Sequence, residues 1–283
     1  MIVTRFAPSP TGYLHLGHAF AAITARDTAN AAGGKFLVRI EDIDTTRCRA
    51  EFETAIFEDL SWLGSAWETP VLRQSTRFDV YRSVLDTLDQ KGLLYPCFCT
   101  RAEITAELAQ AIEAPHGPEG ALYPGTCRHL DAATRAAKIA SGAPYSLRLD
   151  VEKIAALVGP LTFEEYGAGP NGKTGTITVN PHLFGDIVLA RKETPASYHL
   201  AVVVDDAFQN VSLVTRGNDL FSATHIQRVL QTILGFPTPA YAHHKLILDR
   251  SGKKFSKRDS TVTLRSLRER GVTAEEIRPM IGL

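Results

Sequence analysis

The stretch Arg5-Phe6-Ala7-Pro8-Ser9-Pro10-Thr11-Gly12-Tyr13-Leu14-His15-Leu16-Gly17-His18 (RFAPSPTGYLHLGH) joins an apolar run to a helical one through a turn-rich loop. Residues 2–6 have the composition of a short buried strand, APSPTG that of a turn, and Leu16, Phe20 and Ile23 recur at helical spacing. Strand, loop and helix in that order open a nucleotide-binding unit. His15 and His18, three apart at the helix start, share one face, and Gly17 lets a ligand approach the backbone. A helix amino terminus offers unpaired N–H groups and partial positive charge, so an anionic phosphate belongs there with the imidazoles as further donors. A lone HxxH is more often a pair of core or capping histidines; the segments that follow decide against that here.

Working outward, residues 35–40 follow the Gly33–Gly34 turn, and a right-handed crossover places them parallel to the first strand. Helical patterns follow over 50–63 and 78–91. From 96 to 129 the texture changes to Cys, Pro, Gly and polar residues, which marks an inserted subdomain. Strand-like runs appear at 145–149 and 161–163, and 167–175 (GAGPNGKTG) has the composition of a surface loop. Runs at 186–191, 201–204 and 211–215 suggest a second half of the parallel sheet, followed by a helix over 222–234, a strand-like run at 246–248, a basic loop and a last helix. The expected fold is α/β, a Rossmann-type parallel sheet in two halves (1–95 and 186–235). An insert spans 96–185, and 236–283 closes the chain.

The 283 residues, 44% of them hydrophobic, are enough for a real core, and disorder is excluded. Lys+Arg and Asp+Glu balance at 31 each, so no global charge advertises nucleic acid, and RNA contact has to rest on local patches. The candidates are Lys253, Lys254, Arg258, Arg265, Arg268 and Arg270. MIVTRFAPSP lacks the charged and apolar regions of a signal peptide, and no run is long enough to span a bilayer, so a cytoplasmic protein without a membrane partner is expected.

Two further clusters carry chemistry. Lys253-Lys254-Phe255-Ser256-Lys257-Arg258 is a basic loop of a kind that is usually a solvated face. Paired with a phosphate-binding helix start near residue 15, it supplies the second half of a phosphate clamp. Cys97-Phe98-Cys99 and Cys127 offer three thiolates, which leaves one position on a tetrahedral structural zinc. His129 is chemically the ordinary choice for it. Cys48 stands apart, as an ordinary buried or half-exposed residue.

Together the residue 15–18 and 253–258 segments resemble the HIGH and KMSKS signatures of class I aminoacyl-tRNA synthetases, and RFAPSPTG is similar to the glutamyl branch. The resemblance extends through Ile40-Glu41-Asp42-Ile43-Asp44, similar to that branch's RIEDTD element, and through Ser197-Tyr198-His199-Leu200-Ala201 and Thr215-Arg216-Gly217-Asn218-Asp219-Leu220. It implies a glutamate pocket of Arg5, Ala7, Ser9, Glu41, Tyr198 and Arg216, with the two arginines as candidates for the carboxylates and Glu41 for the ammonium group. It implies that His15, Gly17, His18, Lys254, Ser256 and Lys257 bind ATP, accompanied by Mg²⁺, and that His15, His18 and Lys257 are catalytic. It also implies Tyr123 rather than His129 as the fourth zinc ligand.

Three departures from the ordinary glutamyl pattern stand out. The sequence ends at Leu283, soon after Arg258, which leaves no room for an anticodon-binding region; Val202 replaces an asparagine in YHLANVVDD; and Arg258 replaces the last serine of the lysine loop. An apolar side chain cannot replace an amide's hydrogen bonds, so glutamate either sits differently or binds more weakly. Short length, Tyr123-x-x-x-Cys127 and the valine all resemble the glutamyl-queuosine tRNA(Asp) synthetases. That family implies activation of L-glutamate without tRNA, then transfer to the queuosine base of the tRNA(Asp) anticodon stem-loop. A monomer is expected. The rival readings are a truncated synthetase charging a tRNA 3′ end, a nucleotidyltransferase of the wider HIGH superfamily and a non-catalytic RNA-binding paralogue.

Overall fold

The computed structural model describes residues 1–110, 116–118, 120–247 and 262–283. Strand β1 (Val3–Phe6), buried along its length, leads through APSPTG into helix α1 (Leu16–Ala31), and β2 (Lys35–Ile40) returns parallel to it, Val3 opposite Lys35 and Phe6 opposite Val38. Leu16, Phe20 and Ile23 of α1 face inward with Phe36, Val38 and Ile40, so a helical period and a strand period bury the same core. Helix α2 (Ala50–Trp62) crosses to β3 (Glu68–Arg73), parallel to β2. A 3-10 turn (Gln74–Arg77) then opens α3 (Phe78–Gln90).

The insert begins with β4 (Leu94–Cys97) and α4 (Arg101–Gln110), a helix the Cys- and Pro-rich texture did not announce. It continues through the small hairpin β5 (His116–Gly117) and β6 (Gly120–Ala121), α5 (Ala132–Ala140), β7 (Ser146–Leu149), α6 (Val151–Val158), β8 (Thr162–Glu165), β9 (Gly175–Thr178) and β10 (Val188–Ala190). The chain then runs through α7 (Tyr198–Phe208), β11 (Leu213–Gly217), α8 (Ala223–Leu234), β12 (Ala240–His244), α9 (Leu264–Glu269) and α10 (Ala274–Ile281). Among the described residues no helix is long and apolar enough to cross a membrane.

The chain after residue 185 differs from the expectation at three places. Residues 201–204 lie within α7: an apolar run buried on every side has no period to separate strand from helix, and the Ser197 hydroxyl, capping the Leu200 N–H at 3.5 Å, starts a helix. The 186–191 run supplies β10, which pairs antiparallel with β7 in a small sheet ordered β10-β7-β4, outside the parallel sheet. The strand expected at 246–248 lies earlier, as β12; Lys245 to Ile247 are not strand, and Leu248 is outside the described residues. β12 hides in sequence because Tyr241 and His243 are its buried positions. It pairs parallel with β11 and with β8, so β8 carries part of the 96–185 stretch into the main sheet.

The sheets β3-β2-β1 and β11-β12-β8 meet edge to edge at Ser212, whose N–H donates to the Val3 carbonyl (3.0 Å) while its hydroxyl accepts from the Val3 N–H (2.9 Å). Strand order therefore runs outward in both directions from β1 and β11, and a crevice opens beyond their carboxyl ends.

Helix α7 is fastened beneath that crevice by two consecutive buried aspartates. Asp205 accepts from Gln74 Nε2 (2.9 Å), Arg77 Nε (2.7 Å) and the Tyr81 hydroxyl (2.7 Å), tying α7 to α3 and the turn before it. Replacing Asp205 by alanine strands Arg77 and two polar groups, and should destabilise the protein by about 3–5 kcal/mol in urea unfolding. A loss below about 1 kcal/mol would refute this anchoring role.

Candidate active site and metal centre

The crevice holds a cavity of about 260 Å³. Arg5, Ala7 and Ser9 reach it from the end of β1, Glu41 from the end of β2, Tyr198 from the first turn of α7 and Arg216 from β11, with His18 at one wall. All six residues assigned to the amino-acid pocket thus line one space. The loop is held there by main-chain bonds, Glu41 N–H to the Pro8 carbonyl and Arg49 N–H to the Pro10 carbonyl, both 3.0 Å.

The cavity's charges are unequally satisfied. Arg5 donates to Asp206 through Nε (3.0 Å) and Nη2 (3.4 Å), and to the Thr215 carbonyl through Nη1 (3.3 Å). Arg39, fully buried, donates to Asp206 (2.7 Å), Gln209 Oε1 (3.1 Å) and Glu41 (3.2 Å). Two guanidinium groups and two carboxylates so form a compensated cluster. Arg216 differs. Its Nε donates to His243 Nε2 (3.0 Å), Nη1 to Gln227 Oε1 (2.8 Å) and Nη2 to the Thr224 hydroxyl (2.6 Å), and among the described residues no carboxylate lies within ion-pair distance. A buried cation held only by uncharged groups is prepared for an anion from outside.

Burial pushes the Glu41 carboxyl above the usual carboxylate range, although Arg39 and Arg5 pull the other way. Burial acts in the same direction on Asp206, but Arg5 and Arg39 together outweigh it and hold that carboxyl below its ordinary value.

His15 caps α1: its Nδ1 accepts the Gly17 N–H (3.1 Å), and His18 Nδ1 accepts the His15 N–H (3.2 Å). The two rings lie 3.8 Å apart between centroids. Because both Nδ1 atoms accept, the neutral rings carry their protons on Nε2. Gly17 has a second role: a Cβ there would stand 3.1 Å from the His15 ring, so glycine lets the imidazole fold over the helix end.

Lys253, Lys254, Ser256, Lys257 and Arg258 lie outside the described residues. The chain after them returns to the same helix start: Thr263 bridges to His15, and the Leu264 N–H donates to the Leu14 carbonyl (2.8 Å). The arginines beyond are already engaged. Arg268 pairs with Glu58 (2.8 Å) and Asp59 (3.5 Å), Arg265 with Glu269 and the Tyr13 hydroxyl (both 2.9 Å), and Arg270 with the Ser266 carbonyl (3.0 Å). Arg268 therefore acts first as an anchor between α9 and α2. Val202, read as a departure within the pocket, is buried in the main core and does not line the cavity.

In the insert, the sulfurs of Cys97, Cys99 and Cys127 lie within 4.8 Å of one another. The Tyr123 hydroxyl stands 3.4 Å from Cys97 Sγ and 3.6 Å from Cys99 Sγ, and accepts the Cys127 N–H at 2.9 Å. Three sulfurs on one tetrahedral ion at about 2.3 Å each would stand about 3.8 Å apart, so the donor set fits zinc. His129 is exposed and outside this group, and Cys48 is half-buried elsewhere.

Arg39, Asp206, Glu165 and His243 shape the site and escaped the sequence reading. Arg39 left a signal, since an arginine inside a buried parallel strand requires a buried partner.

Residues 1–283 match the family described as class I tRNA synthetases (E and Q), catalytic domain. The chain is 48% identical over 287 residues to the glutamyl-Q tRNA(Asp) synthetase of Rhodobacter capsulatus, covering 100% of both. It is 42% identical over 273 residues to that of Nocardia farcinica, covering 96% of this chain and 81% of that one. Among solved structures it is similar to a glutamate tRNA ligase from Elizabethkingia meningosepticum in complex with its amino acid, with TM-score 0.75 and 28% identity, covering 92% of this chain and 52% of that one.

The depressed Asp206 carboxyl sets an acid limit. Its contribution to stability is complete above the unfolded-chain value of about 3.9 and is lost as pH falls through the lower folded value. Wild-type stability should therefore drop from about pH 4 downward. Asp206→Asn should be less stable at neutral pH and show a shallower drop; parallel urea-midpoint profiles for the two proteins would contradict this.

Proposed function

The chain belongs to the catalytic-domain family of class I tRNA synthetases for glutamate and glutamine and is a ligase, and from that premise we propose that it activates L-glutamate with ATP and transfers it to the queuosine base of the tRNA(Asp) anticodon loop. The observation that carries the first step is Arg216, a buried guanidinium tethered by three neutral groups at the wall of the cavity. The side-chain carboxylate of glutamate pairs with it, whereas glutamine would set a neutral amide there and leave the cation unpaired at a cost of about 3–5 kcal/mol. Arg5 carries its own counter-ion in Asp206, so its remaining donors make a weaker contact. Glu41 accepts the ammonium group, which would favour its charged form.

The α-carboxylate then attacks the ATP α-phosphorus in line, forming glutamyl-adenylate as the bond to the β-phosphate breaks and pyrophosphate leaves. His15 and His18 contact the phosphates beside the amino terminus of α1, and Lys254, Ser256 and Lys257 supply the remaining cationic and polar contacts of the clamp. Phosphate charge would be further offset by Mg²⁺ bound with ATP. The accepting hydroxyl next attacks the carbonyl carbon of the mixed anhydride, forming an ester as AMP leaves and the hydroxyl proton is released, a step governed by positioning.

Two observations support the queuosine acceptor: full-length similarity to relatives of that name, and a second cavity of about 450 Å³ that shares Tyr198 with the glutamate pocket and extends to Tyr123 beside the three sulfurs. Cys97, Cys99, Cys127 and Tyr123 would hold a structural zinc, fastening that wall.

Protein alone should exchange labelled pyrophosphate into ATP with glutamate and not with glutamine or aspartate. Exchange that appears only after adding tRNA would favour a 3′-end-charging enzyme, and none under either condition would refute adenylation. Lys257→Ala should cost roughly 10²–10³ in exchange rate with glutamate affinity kept. By elemental analysis, zinc should bind one per chain, survive His129→Ala and be lost in Cys127→Ala; loss in His129→Ala would reassign the fourth ligand.

A further inference from the structure

Arg216 ends a buried row of three polar groups on three neighbouring strands. β12 lies between β11 and β8, with His243 opposite Arg216 and Tyr241 opposite Glu165, so Glu165, His243 and Arg216 stand side by side. All three are buried. Glu165 Oε2 is 2.5 Å from His243 Nδ1, and His243 Nε2 accepts from Arg216 Nε at 3.0 Å. Glu165 Oε1 accepts the main-chain N–H groups of His243 and Gly167, each at 2.8 Å. Gly167 has to be glycine, because a Cβ there would lie 2.2 Å from the His243 carbonyl oxygen.

The protons admit one arrangement. A guanidinium only donates, so His243 Nε2 must be bare; a carboxylate only accepts, so Nδ1 must carry the hydrogen. An imidazolium or an Nε2–H ring would set two donors against each other. Burial and the charge of Arg216 lower the imidazole's proton affinity, against the pull of Glu165. The Thr224 hydroxyl agrees with this arrangement: it accepts from Arg216 Nη2 at 2.6 Å and lies 3.4 Å from His243 Nε2, toward which its own hydrogen can point.

We infer that Glu165 and His243 are positioning residues for Arg216, the carboxylate fixing the imidazole tautomer and the bare imidazole nitrogen fixing the guanidinium. This deepens the proposed function and rests on Arg216 as the glutamate anchor. A carboxylate placed directly on Arg216, as Asp206 is on Arg5, would orient the group and also quench its charge. The imidazole transmits orientation without neutralising the cation. Selectivity for a carboxylate side chain over its amide then depends on two residues that never touch the substrate.

The ring ¹⁵N spectrum of histidine-labelled protein, with His243 assigned by its disappearance in His243→Gln, should show protonated Nδ1 and bare Nε2. An Nε2–H ring or an imidazolium there would overturn the inference, whatever the enzyme activates. In pyrophosphate exchange, Glu165→Gln turns an amide donor toward Nδ1 and forces the wrong tautomer. Its glutamate KM should rise about tenfold or more with ATP KM unchanged, and His243→Leu should behave alike. His243→Gln, whose amide oxygen can replace Nε2 as acceptor, should recover most of the glutamate affinity. Equal shifts in both KM values, or no shift in Glu165→Gln and His243→Leu, would refute the positioning role. A wild-type protein without any exchange would instead sink the glutamate reading, and the nitrogen spectrum would still decide the tautomer.

Discussion

Two adjacent carboxylates at the end of a buried helix must be satisfied on different sides, and the architecture around the site follows from that requirement. Asp206 turns toward the sheet and takes Arg5 and Arg39 from β1 and β2; Asp205 turns away and takes Gln74, Arg77 and Tyr81. Each carboxylate costs several kcal/mol to bury, and only several good partners at once offset that. The result locks α7 against the amino-terminal half of the sheet. Tyr198, at the other end of the same helix, is thereby fixed at the cavity wall while Leu200 to Val204 fill the core.

The site then divides one residue type among different tasks. Arg39 is wholly enclosed and structural, and Arg5 is half committed to Asp206. Arg216 is oriented by neutral groups, with its charge still to be met. At the start of α1 the same economy appears in the histidines, whose Nδ1 atoms finish the helix end and whose opposite edges are thereby protonated.

What could be read from sequence was what is local. The strand, turn and helix around RFAPSPTGYLHLGH obey short periods and turn chemistry, so their order was legible. The pocket residues were nameable only through family resemblance, because Arg5, Glu41, Tyr198 and Arg216 come together solely when β1 meets β11. Residues 201–204 misled because LAVVV has no period that separates strand from buried helix. β12 was missed for the opposite reason, since AYAHH looks too polar for a sheet until Glu165 and Arg216 are seen to satisfy His243. Partners so distant in sequence leave no local trace.

The insert follows the same logic one layer outward. Arg148 of β7 stacks its guanidinium 3.8 Å over the Tyr123 ring and donates to the Asp186 carbonyl at 2.7 Å. The Asp186 carboxylate takes the Tyr95 hydroxyl (2.5 Å), Arg128 (3.2 Å) and the Val151 N–H (3.0 Å). Asp186 thus gathers β4, the turn carrying Cys127 and the start of α6 around one buried charge. Tyr123 faces the three sulfurs with its hydroxyl and lines the larger cavity with its neighbours. A metal at the sulfurs would therefore act on the cavity wall facing Tyr198, and not on the charges of the proposed glutamate pocket. Acceptor and amino acid would be controlled by separate buried networks that meet at one tyrosine.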